Sequence, residues 1–352
     1  MNSTERMQAA IQMQAVDRIP NVPFYEAPIC RYFGSSFKDA LLGGQAMVET
    51  HLQAIDTFQF DWVMVGMGFI GGIIPEVLGC DVTYPENEFP RIEQTAIHAI
   101  DNIEGIAGRQ VQSKKMDQFL AGISKLKERL TGDVPIACEY ISPFTIATRL
   151  RGTNEIMADF YQEPLLIQKL QEVLVPIDIA MGEALVEAGV EYIFYGADME
   201  CPLLISPEHY RSFIHEPTSI VVNALAEKGA RVLPHMCGPI VKTGIVDMLL
   251  EMTIAGIMPG NITQDSVLPL KALKEKVGNR VAIFDNLNPN GSFLTGKAET
   301  VAAETRQHLE AARGWDGYLF STAGTTSPNT PRENFDAMNQ EVLGFPWGDA
   351  SV

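Results

Sequence analysis

The stretch Ala230-Arg231-Val232-Leu233-Pro234-His235-Met236-Cys237-Gly238-Pro239 reads as a buried strand that ends in two metal-binding side chains. Its apolar, β-branched start predicts an extended segment, and Gly238-Pro239 stops it. Residues two apart on a strand project to one face, so the His235 imidazole and the Cys237 thiol point into the same space. His and Cys are a favoured pair for zinc, and strand ends are where many-stranded α/β proteins keep their chemistry. The plainer alternative is a core tripeptide that binds nothing.

Seven further runs of the same character flank this one. Strands are predicted at residues 19–25, 62–66, 134–138, 192–195, 231–234, 254–258, 281–284 and 318–320. Helix-period stretches lie between them at 45–58, 116–129, 155–189, 207–228, 241–252, 268–276 and 298–312. Strands that are apolar throughout and separated by helices are those of a buried parallel sheet. The expected fold is α/β, a (β/α)8 TIM barrel forming one domain over residues 1–352. It carries an N-terminal extension, and the Gly- and Pro-rich segment 66–102 forms a long loop over the barrel mouth. An open doubly wound sheet is the alternative, but no glycine-rich dinucleotide loop follows the first strand.

The composition narrows the partners. A net charge of -18 on 352 residues argues against nucleic acid and anionic membrane surfaces. No apolar run is long enough to span a bilayer, and the first residues lack a signal-peptide layout, so a cytoplasmic protein is expected. Five widely spread cysteines (Cys30, Cys80, Cys138, Cys201 and Cys237) make a disulfide framework improbable. A monomer and a homodimer are both compatible with an acidic barrel of this size.

In a barrel, the residues just after each strand collect at the C-terminal mouth. Here they are Glu26, Gly66 to Gly68, Glu139 with Tyr140, then Asp198, Glu200 and Cys201, His235 and Cys237, Asn261, Asp285 with Asn286, and Ser321 with Thr322. Glu26, Glu139, Asp198 and Asp285 are the candidate catalytic carboxylates. Glu200 and Cys201, with Asp198 beside them, are candidates to complete a metal site with His235 and Cys237, because neighbouring strand ends lie about 5 Å apart. The competing reading makes this trio the cap of the helix that starts at Ser206-Pro207. Glu26 and Glu139 have a structural alternative too, as ion-pair partners of Arg31, Arg149 or Arg151. Phe24, Tyr25, Tyr140, Phe194 and Tyr195 are candidate aromatic walls of the mouth.

Several longer motifs resemble the uroporphyrinogen decarboxylase superfamily. They are His235-Met236-Cys237-Gly238, Asp285-Asn286-Leu287-Asn288-Pro289, and Ser327-Pro328-Asn329-Thr330-Pro331-Arg332-Glu333-Asn334. Upstream, Ser142-Pro143-Phe144-Thr145 with Gly152, and Leu204-Ile205-Ser206-Pro207, match in the right order. The resemblance implies a TIM barrel. True decarboxylases carry an arginine-rich first loop and an Asp after the second strand; this chain has Glu26-Ala27-Pro28-Ile29-Cys30-Arg31-Tyr32 and Gly66-Met67-Gly68-Phe69 at those places. The other branch holds corrinoid-dependent methyltransferases, whose zinc is bound by His-x-Cys and a later Cys.

His235 and Cys237 match the first two ligands, but Gly324 stands where the third thiolate is expected. A zinc with fewer thiolates and a carboxylate in their place is more electrophilic and suits polarising an oxygen. The resemblance therefore implies a zinc-dependent methyltransferase that moves a methyl group between a small methylated substrate and cobalamin on a corrinoid protein. The ligand set favours a methyl ether, hence O-demethylation. Met67 and Phe69, with Ile70, Ile73 and Ile74, are expected to offer the apolar rim that meets the corrin, on a loop loosened by Gly71-Gly72. A uroporphyrinogen decarboxylase-like lyase and a non-catalytic binding barrel are the alternatives.

Overall fold

Short apolar strands, buried on both faces, each pair with the next strand in the sequence. They are β1 (Val63–Val65), β2 (Ile136–Ile141), β3 (Tyr192–Gly196), β4 (Arg231–Met236), β5 (Gly256–Pro259), β6 (Ala282–Phe284) and β7 (Tyr318–Leu319). All pairings are parallel and run in chain order, which gives a seven-stranded sheet. The computed structural model describes residues 1–347 other than 264, 265, 268 and 286, with backbone alone at 261–263, 266 and 267.

The sheet curls on itself. Trp62 beside β1 and Phe284 on β6 stack at 6.0 Å, although four strands separate them in the sheet. Phe24 bridges the same space, 5.9 Å from Trp62 and 4.7 Å from Phe194 on β3. These rings plug the concave side, while helices such as Pro164–Ala188, His215–Glu227 and Ala298–Ala311 cover the convex side.

The strand expected at 19–25 is a single bridge, Asn21 to Phe320, beyond the named strands. The segment still bonds on both sides: Val22 N–H donates to Phe320 O at 2.8 Å, and Asp61 N–H donates to Asn21 O at 2.8 Å. Pro20 and Pro23 carry no N–H, so a longer ladder cannot form around them. Buried Asp61 anchors this end by accepting from Ser3, Arg6, Arg18 and the Asn21 N–H, and so fixes the helix Ser3–Ile11.

The segment 66–102 is not an open loop. It contains the helix Phe69–Val77 and an antiparallel pair, Asp81–Thr83 with Arg91–Gln94. Its glycines serve close packing rather than motion: a Cβ on Gly71 would meet the Arg149 guanidinium at 3.0 Å, and one on Gly72 would meet Pro90 at 2.8 Å. The helix expected at 155–189 is two, Thr153–Gln162 and Pro164–Ala188, because Pro164 starts a helix better than it continues one. Among the described residues no helix is long and apolar enough to cross a membrane.

Candidate metal centre

The end of β4 presents His235 and Cys237 together, as alternation along a strand requires. His235 Nε2 and Cys237 Sγ are 3.9 Å apart. The turn Asp198–Glu200, one strand over, brings an Asp198 carboxylate oxygen to 3.5 Å from the same His235 nitrogen. The three donor atoms lie within 4.8 Å of one another. Ligands of one tetrahedral zinc stand about 3.3–3.8 Å apart, given bonds of about 2.0–2.3 Å. A small inward adjustment would therefore seat an ion.

Two glycines keep the space free. A Cβ on Gly260, just after β5, would meet Cys237 Sγ at 2.4 Å and His235 Nε2 at 3.1 Å. A Cβ on Gly324, after β7, would stand 3.5 Å from His235 Nε2. His235 is buried and its ring leans on Phe194 at 4.9 Å, whereas the Asp198 side chain is 63% exposed. The ion position thus has an imidazole floor and an open carboxylate side. Burial pushes the Cys237 thiol up to about 12, with the Asp198 charge adding to the rise. Burial lowers His235, against the pull of Asp198. A neutral imidazole is ready to ligate, and a bound cation would draw the thiol into its thiolate form.

Glu200 and Cys201 do not join this group. Glu200 is fully buried and one carboxylate oxygen accepts from the Ser142 hydroxyl, behind the turn that presents Asp198. Cys201 is buried where the chain leaves the turn, a thiol that burial pushes up and whose ionisation would oppose that of Cys237.

Glu26 and Glu139 hold the turn after β1. Glu26 accepts from the Gly66 and Met67 N–H groups at 3.1 and 2.7 Å, and its carboxylate lies 3.7 Å from His51 Nε2. Burial pushes Glu26 up to about 8, against those two hydrogen bonds, and the charge of Glu139 adds to the rise. Glu139 accepts from Gly68 N–H, and burial pushes it up to about 7 although the Arg149 charge opposes this. Strand register puts Glu139 level with Phe194 on the concave face. The alternative ion pairs with Arg31, Arg149 or Arg151 are not formed among the described residues: Arg31 bonds Asn329, Arg151 bonds Asp159, and Arg149 acts on Glu139 through its charge alone.

The remaining expectations sort by strand parity. Phe284 faces the interior, so Asp285 turns outward and bonds His308 Nδ1 at 2.9 Å on the helix Ala298–Ala311. Tyr140 likewise points to the helix layer, where its hydroxyl donates to Asp178 O, and Tyr195 lies beside it. Tyr25 donates to Trp62 O inside the fold. Phe24 and Phe194 alone of the five aromatics reach the concave face. Met67 and Phe69 do not form an exposed rim: both are buried, and Phe69 stacks on Phe119 at 4.2 Å. The Asn286 position and the Asn261 side chain lie outside the described residues. Ser321 and Thr322 tie the last strand to residues 22–24.

Sequence reasoning missed three features: Gly260, the Ser142–Glu200 contact, and the exposed pair Leu203 and Leu204. Leu203 packs beside Gly238, immediately after Cys237, yet it is 49% exposed and Leu204 54%. A glycine directly after a strand of the parallel sheet is the signal that would have marked Gly260. A separate cleft of about 1080 Å³, lined by Cys30, Arg31, Phe89 and Asn329 among others, opens beside the turn after β1 and does not include His235. The donor atoms, not the cleft, therefore define the candidate centre.

The uroporphyrinogen decarboxylase (URO-D) family profile matches residues 2–344. The methylcobamide:CoM methyltransferase MtaA of Methanosarcina barkeri is 23% identical over 344 residues, 95% of each chain. The uroporphyrinogen decarboxylase of Methylococcus capsulatus is 23% identical over 321 residues, covering 88% of this chain and 87% of its own. A solved methyltransferase from Methanosarcina mazei superposes with a TM-score of 0.81 at 20% identity, over 98% of this chain and 99% of that one. On the profile match across nearly its whole length, this chain belongs to the uroporphyrinogen decarboxylase family.

Proposed function

We propose that this protein is a corrinoid-dependent methyltransferase that takes a methyl group from a small O-methyl substrate and passes it to cobalamin on a partner protein. The observation that carries this reading is the convergence of Asp198, His235 and Cys237 beside an open Gly324. One imidazole, one thiol and one carboxylate fit zinc, and the space kept by Gly260 and Gly324 fits an ion with an open position. When bound, zinc supplies a Lewis acid for the substrate oxygen. The relatives named as methylcobamide:CoM methyltransferases support the methyl-transfer chemistry, and the oxygen-friendly donor set supports an ether or alcohol over a thiol.

The protein's own residues do the rest. His235 and Cys237 fix the centre from β4, and Asp198 closes it from the solvent side. In the transfer the C–O bond breaks, its electron pair stays on oxygen, and the pair for the new bond to carbon would come from the cobalt(I) state of the partner's corrinoid. The oxygen then needs a proton. Glu139, pushed up to about 7 and level with Phe194, whose ring leans on His235, is partly protonated near neutrality and is the carboxyl we assign to give it. Glu26 holds the turn that positions Glu139's partner, Gly68. Leu203 and Leu204 take the role expected of Met67 and Phe69, an apolar rim for the corrinoid partner beside Cys237. The hydrogen bonds of residues 20–22 to both neighbouring segments support a single barrel unit closed by that segment.

The test is spectroscopic: mix zinc-loaded protein with cob(I)alamin and a panel of methyl ethers, methanol and methylamines. Methylcobalamin formed from an O-methyl compound, and lost in Asp198→Ala and His235→Ala, supports the reading. Methylation of coenzyme M from methylcobalamin, with every O-methyl compound inert, would reverse the substrate class.

A further inference from the structure

Among the described residues, the large hydrophobic side chains that stand exposed are Met1, Tyr161, Leu165, Leu203, Leu204 and Ile220. All but Met1 belong to one strip of surface. It starts at the metal centre, where Leu203 packs beside Gly238 and Leu204 follows it. A short step along the chain, Ser206 caps the next helical turn by accepting the His209 N–H at 3.1 Å. Tyr161, 79% exposed, sets its ring edge-on to His209 at 5.2 Å. The His209 ring stacks on Phe160 at 4.8 Å, and Phe160 meets Phe213 at 5.4 Å.

Phe213 in turn lines a groove of about 530 Å³ between the helices Pro164–Ala188 and His215–Glu227, with Ile220 and Glu172 also in its wall. Leu165 shares a helix face with Gln168 and Glu172 of that wall, because such spacings fall on one stripe. Both helices run back from the mouth of the sheet, so their first turns stand at that end. The apolar surface is therefore continuous from the side of Cys237 to the groove. Exposed acids Glu172, Glu208 and Glu216 border it.

Two leucines are too small a footing for a protein. A specific interface covers about 800 Å² of each partner and about 20–30 residues. A carrier that brings a corrin to the centre over Leu203 must lay its body on one flank of the mouth. The strip lies on that flank, and a contiguous apolar patch with an exposed tyrosine is the surface type that concentrates binding energy.

We propose that the strip from Leu203 through Tyr161 and Phe213 to Ile220 is the docking surface for the body of the corrinoid-carrying partner. The acids at its border call for a partner patch that is apolar with Lys or Arg at its edge. The assignment rests on the methyl-transfer function proposed above and widens its two-leucine rim to a full interface.

The test puts the photo-cross-linking residue p-benzoylphenylalanine into the full-length, zinc-loaded protein at Tyr161, at Leu203, or at Glu299 on the helix Ala298–Ala311. Each bait is irradiated in extract of the source cells, and its adducts are separated by size without denaturation and analysed for cobalt and mass. The expected result is a cobalt-containing adduct of one mass from the Tyr161 and Leu203 baits, and none from Glu299. Adding Tyr161→Asp and Ile220→Asp to the Leu203 bait should cut its yield about tenfold. A Leu203 bait that captures the cobalt protein while the Tyr161 bait does not, or whose yield ignores the two aspartates, would overturn the wider surface and leave the methyl-transfer reading standing. No cobalt adduct from either bait would overturn both. An adduct of two copies of this chain at Tyr161 would give the surface to a dimer and equally overturn the assignment.

Discussion

Gly324 and His235 face each other so closely that a carbon on the glycine would stand 3.5 Å from the imidazole Nε2. A cysteine at this position would bring its sulfur into the group formed by His235, Cys237 and Asp198. The glycine leaves that place to a substrate oxygen or water. This one position therefore sets how many thiolates the centre can have.

Gly324→Cys should convert the centre to a thiolate-rich one. Zinc retention against a competing chelator is expected to rise about tenfold or more. The cobalt-substituted protein should gain thiolate charge-transfer absorption. Gly324 has φ +124°, a conformation that costs a side-chain-bearing residue about 1–3 kcal/mol, so the variant should melt earlier while binding zinc more tightly. Turnover of an O-methyl substrate should fall.

Gly260→Ala tests the cradle from the other side. Its methyl group would sit 2.4 Å from Cys237 Sγ, and no unusual backbone angle confuses the result. Zinc affinity should drop about tenfold or more, with the circular dichroism spectrum unchanged. Zinc content equal to wild type would mean that the ion sits elsewhere.

Leu203→Asp and Leu204→Asp place charge on the exposed rim beside Gly238. Each should raise the KM for the corrinoid protein several-fold and leave zinc content and turnover with free cobalamin near wild type. Equal losses with free and protein-bound cobalamin would remove these residues from the docking surface.

Glu26 predicts a pH dependence of stability. Its folded pKa, about 8, lies above the ordinary value of 4.5 because burial disfavours the charge. The folded state therefore holds the proton more tightly, so this group's stabilisation is full below about 4.5 and is lost as pH rises to about 8. Glu26→Gln should flatten part of that decline in urea unfolding measured from pH 5 to 9. It also sets an amide NH2 against a backbone N–H of Gly66 or Met67, which costs about 1–3 kcal/mol at the acid end. An unchanged slope would contradict the assignment.

Much of the fold was legible because buried parallel strands are apolar throughout and helices separate them. His235 and Cys237 were legible because strand alternation fixes their common face. Asp198 and Glu200 were not separable, since neighbours in a single tight turn diverge according to how the turn docks, and only Ser142 decides that for Glu200. Parity would have turned Asp285 outward once Phe284 was taken as interior. The spacing Phe69, Ile70, Ile73, Ile74 is that of a helix face, and the glycines beside it obscured this. At residues 19–25 the β-like composition was real, but two prolines limit the segment to one bridge.

The most direct measurement is zinc per chain by elemental analysis, on wild type and on Asp198→Ala, each purified after expression with zinc supplied. The account predicts about one zinc in the wild type and a marked loss in the variant, because the carboxylate completes a centre that has only one thiolate. Zinc-free wild-type protein, or a variant that holds zinc as firmly as wild type, would contradict it.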